Sequence, residues 1–165
     1  MDCLTDDKAE RLNADSKDIM VFLSDKIKHG IYTLDEWKES LAVEIPEDMD
    51  LYALSSKEQE VSNKFAAIKN NLFLARAIHR AASASKERLY SANYARLANG
   101  LDNGKRKSAA TLEQEVMSAI ENEMDALLYA ETIMDFWLAQ ESIIGARKET
   151  LKNLFWIVKE QKENG

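Results

Sequence analysis

From Ser55 to Asn99 the chain contains neither glycine nor proline. Within that stretch Val61, Phe65, Ile68, Leu72, Ala75, His79, Ala82 and Leu89 recur at spacings of three, four or seven. Such a period belongs to one face of an α-helix. The pattern predicts a single helix of roughly 44 residues, about 65 Å long at about 1.5 Å per residue. A rod of that length with an apolar stripe is not stable alone in water, so it demands a partner.

The partner follows a turn. Gly100-Leu-Asp-Asn-Gly104 carries an Asn-Gly step and two glycines, the strongest turn signal in the chain. Beyond it, Thr111 and Gln114 have the spacing of a capping box. They are expected to open a second long helix whose apolar face is Val116, Ile120, Met124, Leu127, Met134, Trp137, Leu138, Ile144, Leu151, Phe155 and Val158. Gly145 lies inside it, and the sequence leaves open whether it kinks or ends the helix or stays interior at a cost of about 1 kcal/mol against Ala. Two arms of matched length joined by one tight connection make an antiparallel, coiled-coil-like hairpin. Only five glycines and one proline occur in 165 residues, too few for the turns of a β-sandwich or a parallel α/β sheet. The expected class is all-α.

The first 50 residues read as an acidic N-terminal region with short helices. One helix is expected from Ser16 to His29, burying Ile19, Phe22, Leu23 and Ile27, with Gly30 as its stop. Thr33 and Glu36 form a capping box for a helix over Leu34–Ala42 that points Trp37 and Leu41 inward. An acidic linker, Glu44–Asp50 with Pro46, marks the boundary to a hairpin domain over 51–165, with arms of about 56–99 and 112–160. Ser55 and Glu58 supply the expected cap of the first arm.

Little in the sequence suggests catalysis. Cys3 is the sole cysteine, which excludes a disulfide framework and favours a reducing compartment. The start, MDCLTDDKAE, has neither the cationic nor the apolar region of a signal peptide. No run of about 18 apolar residues exists, so a soluble, cytoplasmic protein is expected. The two histidines, His29 and His79, are expected to serve a helix end and the helical seam. Neither sits in the Glu-x-x-His pattern of a di-iron bundle. Phosphate-binding loops and nucleophile elbows are absent. The expectation is a protein that is not an enzyme and holds no metal or cofactor.

Charge is the informative quantity. The net charge of −7 argues against nucleic acid as a partner. Its distribution argues otherwise. Residues 1–55 carry −8, residues 56–107 carry +7, and residues 108–165 carry −6. No carboxylate occurs between Lys64 and Lys86. Lys69, Arg76 and Arg80 fall within roughly 40° of one another on a helix. Lys86, Arg88, Arg96, Lys105, Arg106 and Lys107 carry the basic character to the turn, with Tyr90 and Tyr94 interleaved. Two accounts compete. The basic arm pairs with acidic residues of the second arm, as e/g positions of coiled coils do. Alternatively, it tracks phosphates while tyrosines stack on exposed bases. A second candidate surface is Leu154-Phe-Trp-Ile-Val158 with Leu151 before it. One helix face cannot hide five consecutive apolar residues, so Leu151, Leu154, Phe155, Trp156 and Val158 are candidates for self-association. The competing account has the N-terminal helices fold over this end.

These residues carry a family resemblance. Lys86-Glu-Arg88-Leu89-Tyr90 ahead of the turn looks like the basic-x-Arg-Leu pattern with nearby tyrosines of the UvsY-type recombination mediators of large tailed phages. Arg96-Leu97 offers a competing alignment. The resemblance covers about residues 56–160: a long basic helix, a Gly-containing turn, a second acidic amphipathic helix and an apolar C-terminal segment. It implies a non-enzymatic ring of protomers that binds single-stranded DNA through Lys86 and Arg88. Such proteins help load a RecA-type recombinase onto strands coated by a single-strand-binding protein, and they contact both proteins. The acidic first 50 residues look like an addition, and are expected to contact a partner or screen the basic strip. The rival expectation is a helical scaffold or inhibitor with no nucleic-acid role.

Overall fold

The computed structural model describes residues 26–45, 49–99, 101–102 and 105–164. Cys3, Pro46, Gly100, the Asn103-Gly104 step and the stretch 16–25 of the expected first helix lie outside the described residues. The class is all-α. Two long helices, α2 (Leu51–Ala98) and α4 (Glu121–Asn164), lie against each other as a hairpin. Helix α3 (Ala109–Ala119) extends α4 toward the turn. The turn is a small ribbon of β3 (Leu101–Asp102) and β4 (Lys105–Arg106), with Leu101 opposite Arg106. Ahead of the hairpin, strands β1 (Lys28–His29) and β2 (Tyr32–Thr33) lead into the short helix α1 (Leu34–Leu41).

Helix α2 is 48 residues long. It begins earlier than the Ser55–Glu58 pattern suggests. Asp50 is the N-cap, its carboxylate accepting from the Ala53 amide at 2.7 Å. An Asp in the linker satisfies the orphan amides four residues before the serines. The second arm shows the same displacement. Ser108, not Thr111, is the cap, and its hydroxyl accepts from the Thr111 amide at 3.1 Å. Helix α4 runs through Gly145 without a break. The interruption falls instead at Ile120, fully buried, where the Ile120 amide turns to the Met117 carbonyl at 3.3 Å. Neither Gly nor Pro marks that point, and both Val116 and Ile120 are buried there.

The seam is a seven-residue repeat. Leu54, Val61, Ile68 and Ala75 of α2 are buried, as are Ala130, Trp137, Ile144 and Leu151 of α4. Two cross-helix contacts fix the register: Lys69 pairs with Glu141, and His79 lies 3.6 Å from Glu131.

One flank of this seam is covered by the N-terminal elements. Gly30 has φ 71° and turns the chain between β1 and β2, a left-handed conformation that favours glycine. His29 is therefore in a strand, not at a helix end as its position before Gly30 suggests. The Thr33–Glu36 capping box is present in both directions, at 2.7 Å and 3.1 Å. Trp37 and Leu41 point inward, Leu41 buried and Trp37 half-buried against the core. They lie against the middle of α4, next to Trp137, Gln140 and Ile144. Ile27, Leu34, Leu41 and Val43 join the hairpin's core as one cluster. Lys64 ties the following linker to α2 by donating to the Ala42 carbonyl at 2.7 Å. Hydrogen bonds from Lys57 and then Lys64 hold the Glu60 carboxyl below its ordinary range.

A Cβ placed on Gly145 meets only Phe65 Cε2, at 3.8 Å. Gly145→Ala therefore has room, and it removes the entropy cost of an interior helical glycine. The variant is expected to unfold at a higher temperature, by the equivalent of about 0.5–1 kcal/mol. A lower midpoint in a thermal circular-dichroism melt would contradict the uninterrupted helix.

Candidate nucleic-acid interface

Helix α2 carries the basic residues, and its repeat assigns each to a face. Lys69, Arg76 and Tyr90 share the register position beside the seam. Arg80 and Tyr94 lie one row further out. These five form one continuous edge of the hairpin, on the flank that the N-terminal elements leave uncovered. Tyr90 and Tyr94 stack with ring centroids 6.1 Å apart and planes 24° from parallel. Lys86 occupies the seam register itself and is half-buried. With Glu87, Tyr90, Ser91 and Met117 it lines an open cleft between α2 and α3. Arg88 is exposed on the opposite outer side of α2. Arg96 lies near the turn, its guanidinium donating to Asn93 Oδ1 at 3.1 Å. Lys105 and Arg106 form β4.

Intramolecular pairing accounts for part of this charge. Lys69 pairs with Glu141, and Lys107 pairs with Glu115. Lys69 also sits over the Phe65 ring at 5.3 Å, with Lys148 5.5 Å from the same centroid, a cation–π arrangement. Among the described residues, Arg76, Arg80, Lys86 and Arg88 make no ion pair. So the edge identified from charge splits in two. Its ends, Lys69 and Lys107, are tied into the hairpin, while its middle presents unpaired cations beside stacked tyrosines. Unpaired guanidinium and ammonium groups with adjacent π-faces suit a phosphate backbone with exposed bases.

The C-terminal apolar segment divides as well. Leu151 is enclosed in the chain's own core, 1% exposed. Leu154, Phe155 and Val158 are half-buried against that core. Trp156 is half-exposed, with the Lys159 ammonium 5.1 Å from its ring centroid. Ile157 beside it is also exposed. The described N-terminal elements pack on α4 nearer its middle, and residues 16–25 of the expected first helix lie outside the described residues.

Two features were not legible in sequence. Phe73, Leu74 and Ile78 are exposed on α2; a helical period alone does not tell which apolar residues face away from the seam. The other is His29, which accepts from two tryptophans. Trp37 Nε1–H donates to its carbonyl at 2.9 Å, and Trp137 Nε1–H donates to its Nδ1 at 2.6 Å. The Trp137 bond requires Nδ1 without a proton. Burial pushes the His29 imidazole below its ordinary value of 6.5.

Comparison with known protein families, characterised proteins and solved structures finds no match to this chain. No helix among the described residues is long and apolar enough to cross a membrane, and those residues form no cluster of metal-ligating side chains.

Because the folded state resists protonating His29, its contribution is complete above the unfolded value and is lost as pH falls below 6.5. Urea unfolding followed by tryptophan fluorescence should show lower stability at pH 5.5 than at pH 7.5. In His29→Asn, which offers an acceptor oxygen that does not titrate, that difference should shrink. An unchanged pH dependence in the variant would show that His29 is not its source.

Proposed function

We propose that the protein is an oligomeric, single-stranded-DNA-binding recombination mediator that helps load a RecA-type recombinase onto strands coated by a single-strand-binding protein. One observation carries this reading. Arg76, Arg80, Lys86 and Arg88 lie in an α2 segment poor in carboxylates and have no ion-pair partner among the described residues. Arg and Lys on a strand release condensed counterions, which drives binding without sequence preference. Tyr90 and Tyr94 add stacking surface, worth about 1–3 kcal/mol per base. The resemblance of Lys86-Glu-Arg88-Leu89-Tyr90 to the UvsY-type pattern supplies the recombinase and the coating protein as partners. The role is non-enzymatic: the strand is bound and deformed so that one protein replaces another on it. Several copies acting together raise a weak site to useful avidity.

A second reading, a helical scaffold or inhibitor without a nucleic-acid role, draws on the Lys69–Glu141 and Lys107–Glu115 pairs. It accounts for those two lysines and leaves the four unpaired cations without a purpose.

Fluorescence anisotropy with a labelled oligonucleotide separates the two readings. Salt-sensitive binding at micromolar protein is expected. Lys86→Ala with Arg88→Ala should weaken it about tenfold for every sequence tested and reduce the salt slope by about 1.4, from about 0.7 per single-strand phosphate contact. Absence of salt-sensitive binding would remove the mediator role.

A further inference from the structure

We infer that the flank of the hairpin that the described N-terminal elements leave uncovered is a two-fold interface between copies of this chain. The N-terminal elements cover one flank of the seam. On the other, large apolar side chains face solvent: Phe73 is 72% exposed and Leu138 37%. Side chains of this size on one strip of a soluble protein mark a contact surface. Their charged neighbours say what covers it. The α2 side of the flank carries Arg76 and Arg80, and the α4 side carries Glu131 and Asp135.

Register makes these two rails complementary. Lys69 lies level with Glu141, and His79 with Glu131. By that register Phe73 is level with Leu138, Arg76 with Asp135 and Arg80 with Glu131, each to within one residue. A second copy turned by a half rotation about the hairpin's long axis places its α4 over the first copy's α2 at the same heights. Arg76 then meets Asp135 of the second copy, Arg80 meets Glu131, and Phe73 packs on Leu138, with the reciprocal set formed by symmetry. A half rotation about an axis across the hairpin would instead set α2 on α2, with arginine opposite arginine. Charge therefore selects the first arrangement and opposes the second. The product is a four-helix core with both turns, and with them Lys86 and Arg88 of both copies, at the same end of the assembly. The interface is formed without nucleic acid, so it stands apart from the mediator reading while specifying how such an assembly would begin.

Light scattering on the full chain without oligonucleotide tests it. The expected mass at micromolar concentration is twice 18.7 kDa, or an even multiple. Arg76→Glu with Arg80→Glu, and separately Glu131→Arg with Asp135→Arg, should each weaken self-association at least about tenfold. An equimolar mixture of the two variants should recover the wild-type mass, because each then offers the other the missing charge. That recovery, with unchanged helical circular dichroism, separates a lost interface from a lost fold. A wild-type monomer, variants that assemble as well as wild type, or a mixture that stays monomeric would each overturn the inference.

Discussion

Trp137 is the residue on which the two parts of the structure depend. It is fully buried, and it belongs at once to the helical seam and to the contact with the N-terminal elements. Its ring meets His29, Trp37 and Phe136 edge to face, at centroid distances of 5.5, 5.3 and 5.1 Å. Truncating a side chain so placed costs about 3–5 kcal/mol in a typical core. Its indole N–H has no water to turn to, and a buried donor without an acceptor costs about 1–3 kcal/mol. The neutral imidazole of His29 is the acceptor. That one requirement pins β1 to α4, and the Trp37 bond to the same residue's carbonyl pins α1 to β1.

An asymmetry follows from this anchoring. A hairpin of two amphipathic helices has two flanks, and the seam alone does not distinguish them. Once β1, β2 and α1 occupy one, the other must hold whatever apolar and charged side chains remain. Phe73 and Leu138 are left there, together with arginines on α2 and Asp135 on α4 that have no ion pair among the described residues. Surface ion pairs contribute little, about 0–1 kcal/mol each, so the hairpin loses almost nothing by leaving them unmade. The same groups become consequential when a partner removes them from water, because an unmatched charge is then costly.

Much of the fold was legible because it rests on local rules. The Thr33–Glu36 box needs only two side chains three residues apart, and it forms as read. The long glycine-free run forms one helix because nothing in it favours another conformation. Where sequence reading missed, several candidates of similar local merit stood close together. Asp50 and Ser55 are both good N-caps, as are Ser108 and Thr111, and tertiary contacts chose the earlier in each case. Gly30 signals a stop in either of two settings; here it turns a strand pair rather than ending a helix. Gly145 left the second helix open to a break and lies inside it with Phe65 beside it, while the interruption falls at buried Ile120, a residue with no turn signal at all. The candidate site was legible as charge but not as pairing, since whether a lysine meets a glutamate depends on register between arms.

Register also resolves the apparent conflict between an acidic protein and an anionic ligand. Net charge acts at long range and is screened within about 8–10 Å at ordinary salt. Beyond that distance the −7 of the chain is a weak deterrent. At contact, only the local groups count. Between Lys64 and Lys86 α2 offers no carboxylate, and α4 answers its cations at Lys69 while Arg76 and Arg80 have no ion pair among the described residues. An evenly mixed surface of the same composition would have paired these arginines at home. The chain separates its charges along its length instead, and an antiparallel hairpin turns that separation into two rails side by side. Left unpaired among the described residues, such a surface suits a polyanion on the basic rail or a copy of itself across both. The two overlap at Arg76 and Arg80, which a copy would take at the level of Phe73 to Arg80, while Lys86 and Arg88 nearer the turn stay open to a strand in either case.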